Sequence, residues 1–122
     1  MNQTTKKHAY DLENRTTLFG ESVINLCKEL KRDPIIIPLI SQIVRSATSV
    51  GANYMEANGA NSKKEFVYKI SLCKKEANET KYWLHMLEVC SNYDKEKIEL
   101  LSKESHELVL IFQKIVSSSK EV

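Results

Sequence analysis

The chain has 122 residues, three glycines, two prolines and a formal net charge of +2. This length predicts one domain, residues 1–122, whose core needs neither a disulfide nor a metal. No apolar run is long enough to span a bilayer, and the opening MNQTTKKHAY lacks the apolar stretch of a signal peptide. We therefore expect a cytoplasmic protein with no membrane partner. The weak positive charge does not by itself imply nucleic acid, although an oligomer would multiply it.

The first predicted helix covers about residues 10–31, after a polar stretch that we expect to fray. Apolar residues at steps of three and four predict its buried line. That line consists of Leu12, Thr16, Phe19, Val23, Leu26 and Leu30.

The second predicted helix covers about residues 35–58. Asp33 is a good N-cap and Pro34 suits the first helical position, but Pro38 leaves a second possibility, a start near Ile37 after an extended lead-in. Gly59 is expected to end the helix in the left-handed conformation. The buried line consists of Ile36, Ile40, Ile43, Ala47, Val50 and Tyr54.

Two further helices are predicted at about residues 62–91 and 95–117. Ser62 and Glu65 have the spacing of a capping box that opens the third helix, and Asp94 is the expected N-cap of the fourth. Short loops place consecutive helices side by side in opposite directions. The predicted fold is an all-α, antiparallel up-down-up-down four-helix bundle. The core line of the fourth helix is Ile98, Leu101, Ser105, Leu108, Phe112 and Ile115.

The third helix carries two apolar lines where a small domain needs one. The first suits the interior: Phe66, Ile70, Cys73, Ala77, Thr80, Leu84 and Leu87. The second lies roughly 100° around the helix: Tyr68, Leu72, Glu76 or Glu79, Trp83, Met86 and Cys90. Because water is a poor environment for a row of large apolar groups, the second line predicts a homo-oligomer interface.

A stripe of small residues on the second helix is a further candidate for that interface. Arg45, Ser49, Ala52 and Glu56 lie opposite the buried line, and the alternative is a solvated face. Gly51 costs a helix interior about 1 kcal/mol relative to Ala, which a close approach of another backbone would explain.

Metal, redox and catalytic functions find little support. Glu76 and Glu79 are one turn apart, but no Glu-x-x-His pair accompanies them, so we expect them to bind a Lys or Arg of a neighbouring subunit or to be solvated. The cysteines, Cys27, Cys73 and Cys90, are expected to be small buried apolar groups. No nucleophile motif or phosphate loop is present. We expect no enzyme activity, no cofactor and no metal.

The best basic patch is one face of the third helix. Lys63, Lys74 and Lys81 share this face, which is distinct from both apolar lines. Such a row would bind phosphates by charge, although lysine-rich surfaces are also common in proteins that bind no nucleic acid. Arg45 is a weaker candidate for the same role because an interface could occupy it.

Nearly the whole chain resembles a known family, and the resemblance is densest in residues 45–84. The run Arg45-Ser-Ala-Thr-Ser-Val-Gly-Ala-Asn-Tyr-Met-Glu56, followed by Asn58-Gly59 and Ser62-Lys-Lys-Glu-Phe66, resembles the bacterial four-helix-bundle proteins known as 23S rRNA intervening-sequence proteins. The positions that match the family pattern are Arg45, Ser49, Ala52, Asn53 and Glu56. Two features depart from it: Glu56 is followed by Ala57 where the family has glycine, and Ala60 and Asn61 replace its arginines.

The resemblance implies an antiparallel bundle that assembles as a homopentamer and has no catalytic activity. It also implies nucleic-acid binding, since members are encoded within insertions of the large ribosomal RNA and a similar retroelement accessory protein uses a basic surface. The first hypothesis is therefore a non-enzymatic oligomer that binds structured RNA or DNA. The alternative is a protein–protein scaffold or accessory subunit whose partner is encoded nearby.

Overall fold

Four α-helices form the described part of the chain, which is residues 2–90, 93 and 95–120 of the computed structural model. Helix α1 covers Asn2–Glu29, α2 Ile36–Asn58, α3 Lys63–Cys90 and α4 Lys95–Lys120. No strand occurs within these residues. The predicted all-α class and the number of helices are confirmed. The predicted N-cap Asp94 lies outside the described residues.

The predicted ends of α1 and α4 were wrong. Helix α1 begins at Asn2, not near residue 10, and α4 continues to Lys120, beyond residue 117. Neither extension contains glycine or proline, so no residue there forces the helix to stop. Helix α1 ends two residues earlier than predicted, where the Leu30 N–H donates to the Cys27 carbonyl at 3.3 Å. This shorter-range bond tightens the last turn.

The start of α2 corrects the prediction: the helix begins at Ile36 with Ile35 in the N-cap position, so Asp33 is not the N-cap and Pro34 is not the first helical residue. Asp33 nevertheless bonds the backbone at this start. Its Oδ1 accepts the backbone N–H groups of Ile35 and Ile36, both at 2.8 Å, so Pro34 and Ile35 form a turn before the helix. Pro38 lies in the first turn of α2, where backbone N–H groups have no acceptor within the helix, so its missing N–H removes no helical hydrogen bond. The helix therefore passes through Pro38 without a break.

The connection between α2 and α3 differs from the prediction at Gly59. Its φ of −96° and ψ of 9° lie outside the left-handed region, and its N–H donates to the carbonyls of Met55 and Glu56. Ser62 caps α3 as predicted, because its Oγ accepts the Glu65 N–H at 3.0 Å. The Glu65 carboxylate reaches back to the Asn61 N–H, also at 3.0 Å, which completes a capping box displaced by one residue.

Side-chain contacts show that neighbouring helices run antiparallel. Along α2 and α3, Ser46 meets Thr80 while Glu56 meets Lys69, and along α3 and α4, Ala77 meets Ser105. Helix α1 packs against α2 and, more sparsely, against α4. The four helices thus close into an up-down-up-down bundle in which α2–α3 and α1–α4 are opposite sides.

Two glycines lie where α1 and α2 pack together. A Cβ on Gly51 would lie 3.5 Å from the carbonyl oxygen of Thr16, and one on Gly20 would lie 3.7 Å from that of Ala47. Both are ordinary van der Waals distances to backbone atoms. Helix α1 is the backbone that lies next to Gly51, but an alanine side chain would fit at this distance, so the approach does not account for the glycine.

The predicted core lines are confirmed, with Ile40, Phe66, Leu101 and Ile115 only partly buried at the edges. Hydroxyl groups inside this core also have partners. Thr80 Oγ1 hydrogen-bonds Ser46 Oγ at 2.8 Å, and Ser105 Oγ donates to the Ala77 carbonyl at 2.6 Å. Among the described residues, every buried side-chain nitrogen or oxygen has a hydrogen-bond partner.

Leu84→Ala tests the inner line of α3. Leu84 is fully buried, so we expect the free energy of unfolding to fall by about 2–5 kcal/mol. Val89→Ala is the matched control, because Val89 is 71% exposed on the same helix and its truncation leaves no cavity. Urea denaturation followed by circular dichroism measures both. Equal effects would show that the inner line is not the core.

Candidate nucleic-acid interface

Lys74 and Lys81 lie on the side of α3 that faces α4. Lys74 Nζ donates to Gln113 Oε1, and Lys81 Nζ lies 3.1 Å from His106 Nδ1. An ammonium group only donates, so this contact is a hydrogen bond in the tautomer that leaves His106 Nδ1 unprotonated. Both lysines are half-buried along their stems, which holds two positive charges at a fixed spacing along the groove between α3 and α4.

Lys63 extends this row to the first residue of α3, where its side chain is exposed. The helical period places it on the same side as Lys74 and Lys81. We call the row of these three lysines the α3–α4 edge.

A hollow of about 460 Å³ opens on the α3–α4 edge. Its lining combines ammonium, hydroxyl and amide groups, which are the donors that bind phosphate oxygens. The lining residues are Ser71, Lys74, Lys75, Asn78, Gln113 and Val116. Sequence reasoning missed the contribution of α4. A signal was present, because His106 and Gln113 are one heptad apart, as Lys74 and Lys81 are.

Arg45 does not join the α3–α4 edge. It extends from α2 to the other flank of α3, where its guanidinium contacts Glu76 at 3.3 Å and also Glu79. Trp83 Nε1 donates to the same Glu79 carboxylate at 3.0 Å. Two carboxylates thus surround the guanidinium, which makes Arg45 a poor phosphate ligand. The expected partner of Glu76 and Glu79 is corrected as well: their cation comes from the same chain.

The hydrogen bond from Trp83, together with the Arg45 ion pair, lowers the pKa of the Glu79 carboxyl below its usual value, against the opposing effect of desolvation. Glu79 is therefore ionised at neutral pH, which keeps the contact between α2 and α3 intact.

The predicted interface residues lie together on the α2–α3 side. Lys69 Nζ bonds Glu56 Oε1 at 2.6 Å across the two helices, as Arg45 bonds Glu79 further along. Tyr68, Ala52, Glu56 and Cys90 are exposed. The remaining members are half-buried: Ser49, Leu72, Glu79, Trp83 and Met86. The two stripes predicted separately on α2 and α3 thus border one surface.

The cysteines differ from the prediction at one position. Burial raises the pKa of the Cys27 thiol to about 11 and that of the Cys73 thiol to about 12, so both stay protonated at neutral pH. Cys90 is exposed at the end of α3, because it lies on the outer line of that helix.

Among the described residues, no group of three or more His, Cys, Asp or Glu side chains is placed to hold a metal ion. Within the same part of the chain, no helix combines the length and the apolar character of a membrane span.

The fold defines a class, the small all-α proteins built from four antiparallel helices. Residues 9–114 match the 23S rRNA-intervening sequence protein family, and the chain belongs to that family. A crystal structure of a protein of unknown function from the S23 ribosomal protein family of Bacteroides thetaiotaomicron is similar, with 33% sequence identity and a TM-score of 0.77. The match covers 86% of this chain and 97% of that one. No curated protein matches the sequence.

Glu79→Gln tests the acidic contact between α2 and α3. A carboxyl whose folded pKa is lowered stabilises the protein above its unfolded pKa, near 4.5, and loses that contribution as pH falls through the folded value. The variant should therefore have a lower free energy of unfolding than the native protein at pH 7, and this difference should become smaller towards pH 3. The other carboxyl groups are present in both proteins, so their contributions to the difference in stability cancel. Denaturation curves at several pH values measure the gap, and a constant gap would contradict the assignment.

Proposed function

We propose that this protein binds structured nucleic acid without catalysing a reaction, through the α3–α4 edge. The observation that carries this proposal is the pairing of Lys74 with Gln113 and of Lys81 with His106. The ammonium group of each lysine contacts a polar side chain of α4 that carries no negative charge. Two oriented ammonium groups beside a polar hollow suit a row of phosphates.

The charges around α3 support this choice of edge. On the α2 flank, cations meet carboxylates of the same chain, as in the contacts of Arg45 with Glu79 and of Lys69 with Glu56. On the α4 flank, Lys74 contacts the amide of Gln113 and Lys81 contacts the imidazole of His106. The positive potential on the α4 flank is therefore not cancelled by those contacts.

Family membership supports the same proposal. The family takes its name from sequences that interrupt 23S rRNA, and a similar structure belongs to a family named after a ribosomal protein. RNA is for this reason the first nucleic acid to test. The alternative function, a scaffold for a protein encoded nearby, is the outcome that remains if neither RNA nor DNA binds.

We further propose that the protein self-associates through the α2–α3 side, as a homopentamer by resemblance to the family. The support is the surface itself. Tyr68 is more than half exposed, and Leu72, Trp83 and Met86 are only half-buried in the single chain. A second protein surface would remove these groups from water.

Lys63→Glu, Lys74→Glu and Lys81→Glu together test the basic edge. We expect the native protein to bind a stem-loop RNA with an affinity that falls steeply as salt rises, because binding releases counterions. The triple variant should bind more weakly, with a slope against log salt that is shallower by roughly one per lysine lost. Fluorescence anisotropy at several salt concentrations measures both quantities.

The control replaces Lys28, Lys31 and Arg32 with Glu, which changes the net charge equally but at the end of the bundle opposite Lys63. It should retain most of the affinity. An RNA affinity that does not change with salt concentration, or that the triple variant retains, would contradict the proposed role of the α3–α4 edge. Native mass spectrometry at low salt also shows directly whether nuclease-sensitive mass accompanies the protein.

Tyr68→Glu with Met86→Glu tests self-association. Both changes leave the contact between Trp83 and Glu79 in place, so the single chain should still fold. Charges buried in an apolar interface are costly, and we expect the native mass to fall to that of one chain. Circular dichroism verifies the fold. An unchanged native mass in a native oligomer would place the interface elsewhere.

A further inference from the structure

Tyr82 is an exposed aromatic residue whose ring is held in place by its neighbours. It is 55% exposed, and its ring packs at a steep angle against that of Trp83, with 5.1 Å between centroids and 72° between planes. Trp83 is itself held, because its Nε1 donates to the Glu79 carboxylate that also contacts Arg45. Tyr82 therefore combines an accessible aromatic surface with a supported position.

The helical period places Tyr82 on the outer surface of α3. Successive side chains lie about 100° apart around a helix, so residues 81, 82 and 83 face three directions. Lys81 contacts His106 on α4, and Trp83 shares Glu79 with a side chain of α2. Tyr82 therefore lies between the α3–α4 edge and the α2–α3 side and faces away from the core.

Tyr82 also continues the row of residues that lines the hollow of the α3–α4 edge. Ser71, Lys75 and Asn78 line this hollow from α3. Tyr82 follows them at the four- and three-residue steps that keep side chains on one helix face. It lies about 6 Å along the axis beyond Asn78. The outer surface of α3 thus presents a hydroxyl, an ammonium, an amide and an aromatic ring in succession.

The charges around this row favour an anion in the hollow. Lys74 and Lys75 both line it, and no carboxylate is among the lining side chains in the described part of the chain. Lys75 is also close enough to Glu79 to interact with it electrostatically. That carboxylate is already bound by Arg45, so it leaves the positive charge of the hollow in place.

We propose that the nucleic acid bound at the α3–α4 edge presents an unpaired base that stacks on the Tyr82 ring. Neighbouring bases cover both faces of a base inside a duplex, so only a loop, a bulge or a single strand can offer one to an exposed ring. A phosphate of the same segment binds in the hollow, where Lys74 and Lys75 are the donors. This inference rests on the proposed function and specifies the kind of nucleic acid that the edge prefers.

A hairpin RNA and a blunt two-strand duplex of the same stem sequence test the proposal, since only the hairpin has unpaired bases. Tyr82→Leu removes the ring but keeps an apolar side chain, whereas Tyr82→Phe keeps the ring. Leu18→Ala is the control, because Leu18 is 63% exposed on α1, which does not pack against α3 in the described part of the chain. Fluorescence anisotropy at several salt concentrations measures the affinities. Circular dichroism and native mass spectrometry verify the fold and the assembly.

The native protein should bind the hairpin more tightly than the duplex. Tyr82→Leu should lower the hairpin affinity roughly ten- to hundredfold, the contribution of one base stacked on an aromatic ring. Its duplex affinity and its slope against log salt should stay the same, because no charge is lost. Tyr82→Phe and Leu18→Ala should bind like the native protein. A hairpin with bromouracil in its loop should cross-link to Tyr82 on irradiation.

Equal native affinities for hairpin and duplex, or a Tyr82→Leu variant that keeps the hairpin affinity, would overturn the stacking while the lysine edge stands. An equal loss in Tyr82→Phe would show that the ring is not the binding group. A lower native mass of Tyr82→Leu would place Tyr82 in a contact between copies and overturn its role in stacking. If the native protein binds neither RNA, the proposed function itself fails.

Discussion

Two hydroxyl contacts inside the core set the position of α2 and α4 along α3. Ser46 meets Thr80 on one flank, and Ser105 meets the Ala77 carbonyl on the other. A shift of α4 along α3 would take the Ser105 hydroxyl away from its acceptor, which costs more than such a hydrogen bond contributes. A shift of α2 would break the contact between the two hydroxyls, although Ser46 and Thr80 also bond the carbonyls of Ile43 and Glu76 in their own helices. Apolar groups alone tolerate such shifts better, so the polar contacts select one arrangement among several.

The surface depends on that arrangement. With Ser105 held against Ala77, the α4 side chains His106 and Gln113 come level with Lys81 and Lys74. With Ser46 held against Thr80, Arg45 comes level with Glu79. One helix, α3, therefore has two flanks of different character. On one flank Arg45 and Lys69 pair with carboxylates, and on the other Lys74 and Lys81 contact an amide and an imidazole.

The sequence predicted much of the fold because period and capping are local properties. The inner line of α3 and the cap at Ser62 follow from spacings within a few residues, and the structure has them. Asp33 bonds the start of α2, but Ile35 and not Asp33 occupies the N-cap position. The ends of the helices were harder to predict, because a polar segment that frays and a polar segment that continues the helix have the same composition. Gly59 shows the same limit: its residue type permits a left-handed conformation, but the turn there does not use one.

The candidate sites were predicted less completely because they join distant parts of the chain. Lys74 and Lys81 could be identified as one face of a helix, but their partners on α4 depend on how two helices align. Arg45 was assigned both to nucleic acid and to an interface. Its contact with Glu76 and Glu79 depends on the same alignment.

The closed order of the helices has a consequence for how the chain is connected. Helix α1 starts, and α4 ends, at the same end of the bundle, because neighbouring helices run antiparallel and α1 packs against α4. A linker from Lys120 to Asn2 would thus join two helix ends on one side of the molecule, as the existing turns do. A circularly permuted chain that opens in the turn between α3 and α4 would retain all four pairs of packed helices. The fold is thus defined by which helices are neighbours, and the helix that comes first in the chain is interchangeable.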